Sequence, residues 1–105
     1  MYKRQTKDYV FIDDVIKATL SAFKKDITGQ LNIASGRETS VLEILGKLKK
    51  IAGFKGKIKH ILPPAGVLKR GVLSIKKAKK VINWSPKYSL EEGLQKTVNW
   101  FRKQL

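Results

Sequence analysis

Two tetrads, Ser40-Val41-Leu42-Glu43 and Ser89-Leu90-Glu91-Glu92, carry the S-x-x-E pattern and constrain this chain more than any other feature. In such a capping box the serine hydroxyl accepts the N–H three residues on, and the glutamate reaches back to the serine N–H, so a helix start is fixed locally. After the first box, Val41, Leu45, Leu48 and Ala52 fall on one face with Ile44 and Ile51 beside them, and Gly53 supplies a C-terminal stop. After the second, Leu90, Leu94, Val98 and Phe101 form the inward face. Two of the chain's helices are therefore located before any other feature is considered.

The rest of the chain alternates with them. Tyr9-Val10-Phe11-Ile12 is a short run of strand formers ending at Asp13-Asp14, a helix cap with negative charge at the positive end of the helix dipole. Val15, Ile16, Thr19, Leu20 and Phe23 then mark one face at helical spacing. Leu31-Asn32-Ile33-Ala34 reads as a second strand, entered through Gly29 and left through Gly36. A third is predicted over Lys57 to Leu62, ended by Pro63-Pro64. Ser74 is placed to cap a short helix with Ile75, Ala78, Val81 and Ile82 inward, and Trp84-Ser85-Pro86 breaks it. The order strand–helix–strand–helix–strand–helix–helix predicts an α/β fold: a small mixed or partly parallel sheet of short strands with about four helices. Residues 1–105 make one domain on this reading.

Several function classes are closed off at once. The chain has no cysteine, which removes disulfides, thiolate metal sites and cysteine nucleophiles. His60 is its only histidine, so neither a metal site nor a Ser-His-Asp triad has support. The pairs Asp13-Asp14 and Glu91-Glu92 sit at predicted helix starts, where capping accounts for them. No stretch reaches the ~20 apolar residues of a membrane span, and the opening segment lacks the apolar core of a signal peptide, so a cytoplasmic protein is expected. The charge points the other way, towards ligands: 23 Lys+Arg against 8 Asp+Glu give a formal +15. A field of that sign attracts phosphates of any kind. Lysines 47, 49, 50, 55, 57 and 59 form the densest basic tract, and Lys76, Lys77, Lys79 and Lys80 another.

Four pieces in order, KDYVFIDDV (Lys7 to Val15), LNIASGRETSV (Leu31 to Val41), SIKKAKKVINWSPKYSLEEGL (Ser74 to Leu94) and TVNWF (Thr97 to Phe101), carry a resemblance. Together they resemble the C-terminal, substrate-binding region of extended short-chain dehydrogenase/reductase proteins, the NAD-dependent nucleotide-sugar epimerase/dehydratase family (UDP-glucose 4-epimerase-like). The resemblance runs from about Lys7 to the C-terminus. It implies a fold without the family's Rossmann domain, which binds NAD over a glycine-rich turn. No such turn occurs among the eight glycines, so no cofactor is expected in this chain. The family moves protons with a Tyr-x-x-x-Lys pair. Four positions after Tyr2, Tyr9 and Tyr88 stand Thr6, Asp13 and Glu92, so no catalytic residue is expected here.

The implied pocket is altered. Lys7 stands where the family has an arginine before D-Y, keeping the charge but losing the bidentate fork. The family's R-P-G-D corresponds to Pro64-Ala65-Gly66-Val67, and Lys69 and Arg70 are the nearest replacements for the lost arginine. Lys7 and Arg70 are therefore the candidate substrate-binding residues. The chain is expected to act as a fragment, split subunit or remnant of such an enzyme, contributing part of the sugar-nucleotide pocket without catalysis of its own. Its expected partners are a nucleotide-sugar ligand, further copies of itself or a separate Rossmann-type chain. A basic phosphate- or nucleic-acid-binding module on the same fold is the alternative.

Overall fold

A computed structural model describes residues 5–57, 59 and 70–104. His60, Lys69, the segment matching R-P-G-D and most of the third expected strand lie outside the described residues. Four helices and one small sheet are present: β1 (Thr6–Lys7), α1 (Ile12–Lys24), β2 (Thr39–Ser40), α2 (Val41–Ala52), α3 (Lys76–Ile82) and α4 (Leu90–Gln104). The class expected from the sequence holds, with no Rossmann domain among the described residues. The sheet is a two-stranded antiparallel pair, Thr6 opposite Ser40 and Lys7 opposite Thr39, with no parallel pairing.

The two capping boxes form as their chemistry requires. The Glu43 N–H donates to Ser40 Oγ at 3.1 Å at the start of α2. At α4 the exchange is reciprocal, Glu92 N–H to Ser89 Oγ and Ser89 N–H to Glu92 Oε1, both 3.1 Å. Gly53 closes α2 at φ 68°, a left-handed conformation that glycine adopts without steric cost. For α3 the expected cap shifts by one residue. Ile75 is the N-cap, and Ser74 contributes only a long 3.5 Å contact with the Lys76 N–H.

The segment Tyr9–Phe11 is not a strand, and Asp13-Asp14 do not cap. Phe11 is the N-cap of α1 and both aspartates lie in its first turn. Asp14 is only 1% exposed and fixes the rotation of the helix. Its carboxylate accepts the N–H groups of Lys87 (3.0 Å) and Tyr88 (3.1 Å), and its carbonyl accepts Trp84 Nε1–H at 2.9 Å. That orientation presses Ala18 onto α3, where a small side chain permits close approach, and turns the expected face outward. Ile16, Leu20 and Phe23 are 49%, 54% and 85% exposed. Phe101, expected to face inward on α4, is exposed too, and α2 has no fully buried residue.

The core is correspondingly narrow. Ala18, Ala34, Ile75, Ala78, Ile82 and Trp84 are buried, with Val10, Ala22, Ile27, Leu31, Ile33 and Val81 packed around them. The molecule measures 48 × 37 × 19 Å with a radius of gyration of 16.0 Å, against the ~13 Å typical of a compact domain this size. A slab 19 Å thick cannot bury both faces of its helices. Leu31–Ala34, the expected second strand, forms no ladder, and no backbone hydrogen bond links Leu31, Asn32 or Ile33 to another described residue. Among the described residues no helix is long and apolar enough to cross a membrane.

Candidate substrate-binding surface

The site is organised by a carboxylate that was not singled out from the sequence. Asp8 follows β1, and its Oδ1 accepts the Ser35 N–H at 2.7 Å and the Ser35 hydroxyl at 2.6 Å. Its Oδ2 accepts the Gly36 N–H at 2.9 Å and the Leu73 N–H at 3.3 Å. One side chain thus ties β1, the Gly36 turn and the segment leading into α3. The available signal was Asp8 itself, the acidic residue of the K-D-Y motif, sharing the chain with a Ser-Gly turn rich in N–H donors.

Lys7 and Arg70 are brought to the same edge. A Cβ built on Gly71 would lie 3.5 Å from the Thr6 carbonyl oxygen and 3.9 Å from the Lys7 Cα, so the 70–71 backbone runs against β1. The Gly71 N–H also donates to Thr6 Oγ1 at 3.3 Å. Arg70 is aimed at a residue of its own chain, however. Its Nε and Nη2 donate to the two oxygens of Glu38, each at 2.7 Å, while the Thr6 hydroxyl donates to Oε1 as well. The Arg70 fork and the Thr6 hydroxyl hold the Glu38 carboxyl down to about 2 from its usual 4.5, and the same fork raises Arg70. The Arg70 guanidinium is thus already bidentate on a carboxylate, the geometry it would otherwise present to a phosphate. Lys7, which pairs with Thr39 through its backbone and makes no ion pair among the described residues, is the cation available at this edge.

Beside the edge, α2 and α4 enclose a cleft of about 350 Å³ whose walls include Tyr9, Arg37, Lys47, Tyr88, Glu91 and Thr97. Lys47 forms an ion pair with Glu91 there. Lys47, with a smaller contribution from Arg37, lowers the Glu91 carboxyl. Tyr88 is held by the Phe11 ring at 4.8 Å between centroids and by Lys96 Nζ 5.6 Å above its own ring. Nothing in this arrangement couples a tyrosine hydroxyl to a lysine, so the geometry provides recognition and no proton relay. Among the described residues no group of His, Asp or Glu is placed to hold a metal ion.

The aromatic distribution differs from expectation in one respect. Trp84 is buried, but Trp100 on α4 is 56% exposed and lies by Lys96 and Lys103.

No family model matches the chain. Individual proteins do. It is 36% identical over 100 residues to the UDP-glucose 4-epimerase of Mycolicibacterium smegmatis, covering 94% of this chain and 32% of that one. A crystal structure of the Thermotoga maritima UDP-glucose 4-epimerase with UDP-glucose superposes with a TM-score of 0.88 at 38% identity, over 97% of this chain and 33% of that chain. The Bacillus cereus UDP-glucuronic acid 4-epimerase in complex with UDP-glucuronic acid and NAD gives 0.87 at 31% identity, over 98% and 34%. The chain therefore spans about a third of the length of the relatives it matches.

Proposed function

We propose that this chain, which is similar in sequence and fold to the C-terminal third of extended short-chain dehydrogenase/reductase epimerases, supplies the nucleotide-sugar side of a composite active site. The dinucleotide and the proton-transferring tyrosine then belong to a separate stretch of polypeptide with a parallel sheet. The observation that carries this reading is the unpaired segment Leu31–Ile33. It has the residues of a strand and no ladder partner among the described residues, so its backbone donors and acceptors are available to the edge of another sheet. Lys7 is the residue assigned to the diphosphate as a point charge, and Arg70 serves indirectly by fixing the β1–β2 edge through Glu38.

The binding half of this reading is testable on the chain alone. Titration with UDP, followed by amide NMR, should perturb resonances around Lys7–Tyr9 and Gly71, with millimolar affinity because only part of a pocket is present. Lys7→Ala should remove the response. Lack of any shift at about 10 mM UDP would sink the assignment. A second reading, a basic nucleic-acid-binding module, draws on Trp100 beside Lys96 and Lys103, an aromatic among cations on which a base can stack. It requires binding to a single-stranded oligonucleotide that weakens steeply with salt and with Trp100→Ala.

A further inference from the structure

The outward face of α1 has a shape and a charge pattern that fit a second copy of the same face. Ile12, Ile16, Leu20 and Phe23 follow one another at spacings of four, four and three residues and lie opposite the buried pair Asp14 and Ala18. All four are at least 49% exposed, and Phe23, at 85%, is the most protruding large apolar side chain described. The hydroxyl of Thr19, at the margin of this stripe, is already satisfied by the Val15 carbonyl at 2.9 Å, so covering it strands no donor. At the other end of the helix lies a groove between the start of α1 and the end of α4, walled by Phe11, Ile12, Thr97 and Trp100. A knob thus stands at the C-terminal end of α1 and a hole at its N-terminal end.

We propose that two copies of this chain associate through antiparallel α1 helices, Phe23 of each copy entering the groove beside Ile12 and Trp100 of the other. Ile12 and Phe23 are eleven residues apart, ~16 Å along the axis, so a two-fold axis between Lys17 and Ala18 fills both grooves at once. In an antiparallel pair each flank of the helix meets the same flank of its copy. One flank carries Asp13 in its first turn and Lys24 in its last, which brings opposite charges together twice. Lys17 lies on that flank near the axis and faces its own copy. The formal +15 on each molecule opposes association further, so the contact is weak at low salt and strengthens as salt screens the repulsion. An acidic partner on this face would show the reverse salt dependence. This inference does not rest on the composite-site reading, which uses a different segment.

The test is sedimentation of the whole chain from about 10 to 500 µM, with tryptophan emission recorded in parallel. Five exposed apolar side chains fall below the ~800 Å² per partner of a standard interface, so a dissociation constant on the order of 10–100 µM is expected. Trp84 is buried in the monomer, so a blue shift on dimerisation reports Trp100. Phe23→Ala and Trp100→Ala should each weaken the dimer roughly tenfold or more. Lys17→Gln should tighten it at low salt. Phe23 and Trp100 are exposed, so circular dichroism should show their variants folded; the salt series and Lys17→Gln decide the matter even if one is not. A monomer at every concentration in 0.5 M salt, a dimer indifferent to both aromatic truncations, or a Lys17→Gln variant that dimerises less would each overturn the proposal.

Discussion

Asp13 and Asp14 are adjacent, equally acidic and in the same helical turn, yet their substitution should have very different consequences. Asp14 is 1% exposed and its carboxylate is the acceptor for two backbone N–H groups of the loop that joins α3 to α4. Hydrogen bonds to a charged acceptor contribute about 1.5–3 kcal/mol each. Lys87 is exposed and Tyr88 only half-buried, so water recovers part of their hydrogen bonding in a variant, which favours the low end. Asp14→Ala should therefore cost about 3 kcal/mol for the pair, with ~0.5 kcal/mol more for the lost charge at the helix N-terminus. Domains of this size have about 5–15 kcal/mol in total, and a core of six buried apolar residues places this one near the bottom of that range. A midpoint fall of roughly 10–20 °C is expected. Asp13 makes no side-chain hydrogen bond to a described residue, and Asp13→Ala should cost only ~0.5 kcal/mol. Urea denaturation followed by circular dichroism measures both, with Trp84 emission reporting whether its indole keeps the Asp14 carbonyl. Equal losses in the two variants, within ~0.5 kcal/mol, would refute the account of how α1 is oriented.

Two glycines inside helices should respond oppositely to alanine. A Cβ on Gly46 meets nothing within 4 Å, so Gly46→Ala should stabilise by ~0.5–1 kcal/mol in the same urea assay. On Gly93 it would stand 3.3 Å from the Phe11 Cβ and Cδ1, against a ring already held by Tyr88, and Gly93→Ala should destabilise by about 1 kcal/mol despite the better helix propensity. The acid limb of stability should depend on Arg70. Glu38 is lowered to about 2 in the folded chain from 4.5, so its contribution is present above pH 4.5 and is lost as pH falls from there towards 2. Arg70→Gln should flatten the pH dependence of the urea midpoint in that window and leave its shape between pH 6 and 8 unchanged. An unaltered acid limb would mean that the fork does not persist in solution.

The parts of the fold that were legible in the sequence are those fixed within a few residues. A capping box satisfies its own donors, so Ser89 and Glu92 announce α4 whatever surrounds it, and Gly53 likewise announces the end of α2. Ile75, Ala78 and Ile82 are inward as their spacing predicts because α3 is short and packs directly on Ala18. What was not legible depends on partners distant in sequence. The periodicity of Ile16, Leu20 and Phe23 states that α1 has an apolar face, but periodicity is silent on what that face meets. The rotation was decided by Asp14 reaching 73 and 74 residues along the chain. The same holds at the site: Arg70 was recognisable as a cation near a lost arginine, while its carboxylate, Glu38, lies 32 residues away.

These misreadings share a physical origin. Val, Ile and Phe patterns record every surface a segment covers, including surfaces belonging to other molecules or other parts of a longer chain. Leu31–Ile33 has strand residues but no ladder, and α1 has an apolar stripe with no cover. In a self-sufficient domain such patterns and their partners occur together, because unpaired backbone and exposed apolar faces are unfavourable in water. Here they are separated, while every polar tie that holds the slab together, from Asp8 to Asp14 to the two capping boxes, is complete within the described residues. The polar framework thus defines what this chain does alone, which is to hold Lys7 and the β1–β2 edge in place. The unmatched apolar patterns define where it needs company: a sheet edge at Leu31–Ile33 for chemistry, and a second α1 for assembly.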